Sequence, residues 1–382
     1  RNLKISDVYF ENEGFVRDEK EVKTENGTQK YGWGIRVINL NENTIIEDVK
    51  IEQCHVEHVS HTGIKLTGKQ KNISNCIISG NTVFKTGGPG IQMSEVKNVH
   101  VFENYVSNTG NKDNARKWGR GSGLWTWGAS HILIEKNKFL YANGPGDSAG
   151  VHIDFNCDNV IIQYNLSAHN AGGFCEILGN NYHCAYRYNV SVNDGFRKKG
   201  ENGAFQEGKT LWLSGYQGQK RPRKGPVNSY IYNNTIYTDA SIDPKIAFDN
   251  TSTGFLLANN IFYTVNPMKV VLGDQYKADV SSDGLMQDLI FTNNLFLNTD
   301  SWPTNFSMKD AFPIFGNPEF TNLGGLNLED YIPSNIALIK NKGIPIPRIP
   351  NDSEGLYLGL EMEKDILGRT VSKIPSLGAI EP

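Results

Sequence analysis

One pattern limits this chain more than any other: a short apolar run followed by Asn returns again and again. It appears as CIISGNTVF around Asn81, VHVFENYV around Asn104, ILIEKNKF around Asn137 and VIIQYNLS around Asn165. CAYRYNVS, YIYNNTIY, LLANNIFY and LIFTNNLF continue it around Asn189, Asn234, Asn260 and Asn294, and Cys54 in KIEQCHVEH takes the same place upstream. Successive Asn residues lie 23 to 45 positions apart. A repeat of this period with strand-like units is a solenoid. The composition agrees: 42 Asn and 39 Gly among 382 residues, with 5 Met, do not make a helical bundle. Asn and Gly favour turns and left-handed backbone.

Each unit carries an earlier strand as well: GIRVI, GIKLT, GIQMS, GLWTW, GVHID, FCEIL, TLWLS and KIAFD. Their alternation of apolar and other residues marks strands with one buried face. Short strands broken by Gly- and Asn-rich bends predict an all-β chain, a right-handed parallel β-helix with long loops over one strand face. Stacked at one bend per coil, each Asn amide can bond backbone and the amide of the next coil. Length alone suggests about two or three domains, but a solenoid grows as one. The expected division is a β-helix over 1–300, then the last coils and an irregular C-terminal capping tail over 301–382 of the same domain. That tail would cover the open end of the stack and prevent edge pairing.

Aligning the earlier strands sends Ile64, Ile91, Leu124, Val151, Cys175 and Leu211 inside, followed by Leu66, Met93, Thr126, Ile153, Ile177 and Leu213. The outward column between them reads Arg36, Lys65, Gln92, Trp125, His152, Glu176, Trp212 and Ala247. A second outward column reads Thr67, Ser94, Trp127, Asp154, Leu178, Ser214 and Asp249. A slip of one residue would bury the acids and expose the aliphatics, so the register is firmly set. Adjacent strands lie about 4.8 Å apart, which makes His152 and Glu176 neighbours and places Asp154 diagonally from Glu176.

Tryptophans beside acids on a flat strand face suit a sugar polymer, whose pyranose faces pack on aromatic rings. Trp125, Trp127 and Trp212 are therefore candidate substrate platforms. Three insertions enter the same face, GNKDNARKWGRGSG, NGPGDSAG and NDGFRKKGENGAFQEGKT. They bring Lys117, Arg120, Asp147, Arg197 and Glu207, and KRPRK follows at 220–224. With Lys65 and Gln92 these residues complete the expected binding set. A chain of net charge −3 thus gathers cations round its groove, as a sulfated or uronate-containing polysaccharide would require.

The Asn repeat, the block GVHIDFNCDNVIIQYNLSAHNAGGFCEILGNN and the closing GAIEP resemble bacterial right-handed parallel β-helix carbohydrate-active enzymes of pectate-lyase-like fold. That superfamily holds hydrolases, lyases, epimerases and phage tailspikes, so the resemblance implies a fold and leaves the chemistry to the site. Hydrolysis needs two carboxyl groups. Glu176 is the expected general acid, kept protonated among tryptophans. Asp154 is the expected base or nucleophile, with His152 as orienter or proton relay and Glu207 and Asp147 in reserve. The favoured function is a secreted glycoside hydrolase of an anionic polysaccharide such as a fucan. A polysaccharide lyase and a non-catalytic glycan binder are the alternatives.

The remaining arithmetic narrows the partners. No run approaches 18 apolar residues, so no membrane span is expected. A pI near 6.3 argues against binding nucleic acid by bulk charge. Five cysteines without metal-type spacing read as buried hydrophobes. No cofactor or metal is expected. Ca²⁺ is the ion a lyase would call for, but the sequence lacks a dense Asp cluster of calcium type. Secretion, or a periplasmic or surface location, would follow from a leader removed ahead of Arg1.

Overall fold

The structure is a computed structural model that describes residues 3–6, 9–11, 33–59, 61–110, 121–218, 220–271 and 286–382. Every strand pairing in its three sheets is parallel, and the chain visits the sheets in turn, coil after coil. The fold is the right-handed parallel β-helix expected from the repeat. The first sheet has nine strands, from Ile35–Ile38 to Lys269–Val270. The second has eleven, from Leu3–Ser6 to Gln287–Thr292, and the third has eleven, from Tyr9–Glu11 to Ile314–Phe315.

The apolar columns face inward as their alternation requires. Ile64, Ile91, Leu124, Leu66, Met93 and Ile153 are all fully buried in one continuous core. The five cysteines are buried and joined in no disulfide. At the C-terminal end Trp302, Phe306 and Met308 enter this core. Phe306 stacks on Phe248, Trp302 lies 4.7 Å from Phe291, and the Trp302 indole N–H donates to the Met308 carbonyl at 2.8 Å.

The Asn ladder holds one corner of every coil. Asn165 donates through Nδ2 to the carbonyls of Ile134 and Gln163 (2.9 and 2.8 Å) and to Asn189 Oδ1 at 3.0 Å. Its own Oδ1 accepts from both the backbone N–H and Nδ2 of Asn137. The same bonds repeat from Asn81 to Asn294, with the Cys54 N–H feeding the first amide and the Asp310 carboxylate receiving the last. The left-handed residue is the one just before each ladder Asn: Glu103, Lys136, Tyr164, Tyr188, Asn233, Asn259 and Asn293 have φ between 51° and 58°. Left-handed backbone costs a non-glycine residue about 1 kcal/mol or more. The buried amide bonds that follow offset it.

The C-terminal segment finishes differently from the expectation. The end of the stack is closed by Trp302, Phe306 and Met308, while the closing residues fold back along the flank. Arg187 donates to the Gly359 carbonyl at 2.7 Å, Tyr232 to Leu360 at 2.8 Å, Tyr164 to Lys364 at 2.6 Å, and Gly378 N–H to Asn259 at 2.8 Å. Tyr331, Ile339, Ile366, Leu377 and Ile380 pack on the outer face of the third sheet. The reason lies in those outer faces, which carry Leu140, Val190, Tyr237, Tyr230 and Leu256 and need cover. Two of the three outer faces are thus covered by the tail, and the first sheet is left to the loops.

Candidate active site

Parallel pairing sets the outward column of the first sheet residue by residue. Arg36 faces Lys65, then Gln92, Trp125 and His152; beyond them Glu176 faces Trp212 and Ala247. Ile153 pairs with Ile177, so His152 and Glu176 are adjacent, as the alignment required. The His152 Nε2 lies 3.5 Å from a Glu176 carboxylate oxygen and 4.0 Å from one of Asp154. These side chains point away from the core yet are little exposed: 2% for His152, 5% for Glu176 and 12% for Asp154. The loops cover them.

Two insertions form that cover. Arg197 is buried, and its guanidinium donates to the carbonyls of Gln206, Gly144 and Asp147 at 2.8, 2.9 and 3.0 Å. Gln206 in turn accepts the Asp147 N–H, and Phe205 lies on Gly146 so closely that a Cβ there would meet its ring at 2.1 Å. Asp147 and Ser148 sit consecutively in left-handed backbone, φ 45° and 63°. Such strain survives only where the surroundings hold it, and here Arg197 and Gln206 hold both sides of Asp147.

The electrostatics follow from this burial. Loss of solvent pushes the Glu176 carboxyl well above the ordinary carboxylate range, and the neighbouring charges of Asp147 and Asp154 push it further. Lys209 and Arg197 pull the other way without prevailing. Burial and the neighbouring acids thus both favour the protonated form of the Glu176 carboxyl. The Glu176 backbone N–H donates to the hydroxyl of the buried Tyr186 at 3.4 Å, and that hydroxyl donates to the Val151 carbonyl at 2.9 Å.

The other expected residues divide. Trp125 and Trp127 are half-buried at the surface of the face, Trp125 edge-on to His152 at 6.4 Å. Trp127 meets Phe155, and Phe155 meets Tyr216, all edge to face at about 6 Å. Trp212 is no open platform: it is buried with Leu178 and Ala247, with the Lys209 ammonium 3.9 Å above its ring. Arg197 likewise braces loops instead of presenting a cation to solvent. Glu207 pairs with Lys245 at 3.2 Å and accepts the Lys199 N–H. Gln92 is buried and accepts from Thr62, whereas Lys65 is half-buried over Trp33. Lys117 and Arg120 lie outside the described residues.

Lys209 is the residue that sequence reasoning missed. Alternation gives it the parity of Leu211 and Leu213, hence the interior. It stands opposite Gly173, whose φ is 143°, and its ammonium lies over the ring of Trp212. Asp249, in the second column, is locked by Arg223 and by the Gly215 N–H at 2.7 Å. Among the described residues no group of three or more His, Cys, Asp and Glu side chains is arranged to hold a metal ion.

Replacing Arg197 by Met should lower stability by about 3 kcal/mol, since three buried carbonyls lose a charged donor. It should also release Asp147 from its strained turn and reduce kcat at least tenfold. Urea unfolding and steady-state rates on one preparation check both.

Residues 33–215 match the family described as right handed beta helix region. A lacto-N-biosidase of Bifidobacterium longum subsp. longum is 24% identical over 341 residues, covering 81% of this chain and 19% of that enzyme. The chain thus spans about a fifth of the length of the curated relative it matches. A solved structure of XylC with xylose aligns with TM-score 0.50 at 11% identity, covering 91% of this chain and 64% of that one. PfbA, a surface adhesin of Streptococcus pneumoniae, aligns with TM-score 0.46 at 13% identity, over 71% of this chain and 70% of the adhesin.

Proposed function

We propose that this chain is a glycoside hydrolase that cleaves a polysaccharide by carboxylate acid–base chemistry, working outside the cell. One observation carries the reading: a buried Glu176, whose surroundings favour the protonated form, shares His152 with Asp154 on the floor of the loop-lined face. Glu176 gives its proton to the leaving glycosidic oxygen. Asp154 activates water or attacks the anomeric carbon, and the proton on Glu176 is restored from water in the course of turnover. His152 orients both carboxyl groups. Asp147 keeps Glu176 protonated between cycles by its charge. The likeness to a lacto-N-biosidase over 81% of the chain supports a glycosidase.

A lyase would need a cation aimed at the uronate carboxylate of the reacting sugar. Among the described residues, the two cations whose charge acts on Glu176 are engaged otherwise, Arg197 with three carbonyls and Lys209 with the Glu207 carbonyl and Trp212. We therefore favour hydrolysis. The test is digestion of neutral, uronate-containing and sulfated polysaccharides, including fucans. New reducing ends without the ultraviolet absorbance of an unsaturated uronate are expected. That absorbance in the products would establish a lyase, and no cleavage of any polymer would leave a glycan binder.

A further inference from the structure

The floor of the face changes character along its length. At one end Arg36 and Lys65, paired in register, both lie over the ring of Trp33, at 4.2 and 5.9 Å from its centroid. Trp33 also packs on His61 at 5.3 Å. The His61 Nδ1 lies 2.7 Å from the Thr62 hydroxyl, which donates to Gln92 in the outward column. Arg36 is exposed and forms no ion pair with an acid among the described residues. Gln92 and then Trp125 separate this end from His152. Further along the face, at the fifth and sixth of its nine strands, lie Asp154 and Glu176, with Asp147 on the loop before them.

We infer that Arg36 and Lys65, set over Trp33, form a remote subsite for a carboxylate or sulfate of the glycan, and that the sugars at the scissile bond are neutral. This rests on the hydrolase reading for the position of the scissile bond. Strand steps of about 4.8 Å place Lys65, three strands away, about 14 Å from His152 and Arg36, four strands away, about 19 Å from it. A glycan chain reaching both must cross several sugar units and run over Trp125. An anion on the reacting sugar would instead lie against three acids, with Arg197 and Lys209 turned to other partners. A guanidinium lying on an indole keeps its in-plane N–H groups available for an oxyanion. A cation at the far end therefore selects charge on the chain without placing it where Glu176 must hold a proton.

The test is a glycan array with matched pairs of oligosaccharides, each neutral and bearing one sulfate or carboxylate at a terminal sugar. Short members and members of eight or more units are both included. The wild-type protein should prefer the charged form only among the long members. Arg36→Ala with Lys65→Ala should reduce that preference roughly tenfold, while Arg36→Lys with Lys65→Arg should retain it. Raising the salt concentration should erode it in the wild type. Thermal unfolding confirms that each variant is folded. An absence of charge preference in the wild type, or a preference unaltered by the double alanine change, overturns the subsite. Equal preference among the short members overturns the distance. Because binding is read without turnover, failure to cleave any glycan would count against the hydrolase reading alone.

Discussion

Glu176→Gln should lower kcat/KM by about a thousandfold and at the same time make the protein more stable at neutral pH. Loss of a general acid removes about 10²–10⁴ in rate. The amide keeps the shape of the side chain and fills the same space. The stability gain has a definite sign. Burial and the charges of Asp147 and Asp154 raise the folded-state pKa of Glu176 well above its unfolded value. Below the unfolded pKa both states carry the proton, and Glu and Gln variants should be equally stable. As pH rises, the unfolded wild-type chain ionises while the folded one does not. Wild-type stability then falls by about 1.4 kcal/mol per pH unit until the folded pKa is reached, and the Gln variant escapes this loss. Wild-type kcat should fall on the alkaline side for the same reason, as the acid loses its proton. Asp154→Asn should depress kcat/KM to a similar degree. Full activity in both variants, or a Gln variant whose stability tracks the wild type from acid to alkaline pH, would show that Glu176 is not the acid.

Asn165→Ala should cost about 3 kcal/mol. It removes an oxygen that receives two Asn137 donors and an amide nitrogen that serves two carbonyls and Asn189. Each buried group left without a partner costs about 1–3 kcal/mol. Asn165→Asp should cost more, because a carboxylate cannot donate and would face the carbonyls of Ile134 and Gln163. Asp310→Asn is the control, expected within about 1 kcal/mol of wild type, since that side chain accepts from Asn294 and the Phe312 N–H and an amide oxygen can still accept from Asn294. Urea unfolding of the three variants measures the differences. A loss below about 1 kcal/mol for Asn165→Ala would mean that backbone pairing alone holds the corner.

The register of His152, Glu176 and Trp212 could be read from the sequence because alternation is a two-state variable. Once Ile153, Ile177 and Leu213 are inside, the residues before them are outside. The ladder was readable for a similar reason, one Asn per coil at one corner. The condition of the face was not. Periodicity says that Trp212 points outward but not that Lys209 lies over it. It gives Arg197 as a loop cation but not its bonds to Gly144, Asp147 and Gln206. The bonds to Gly144 and Asp147 join segments 53 and 50 residues apart through irregular backbone, where no repeat constrains conformation. The burial of Glu176 depends on them, so the sequence placed the acid while the loops determine its protonation.

The ladder also has a direction. The bonds that link one member of the series to the next all run toward the C-terminus, from the Cys54 N–H through Asn294 to Asp310, while the same Nδ2 groups also reach carbonyls such as Ile134 and Leu257 of the preceding coil. A residue that only donates can begin such a series, and one that only accepts must end it. A chain built this way can lengthen by duplicating any interior coil that brings its own Asn. Asp310 works as a stop codon written in hydrogen bonds: a coil inserted before it extends the groove, whereas one appended after it would meet a carboxylate with nothing to offer.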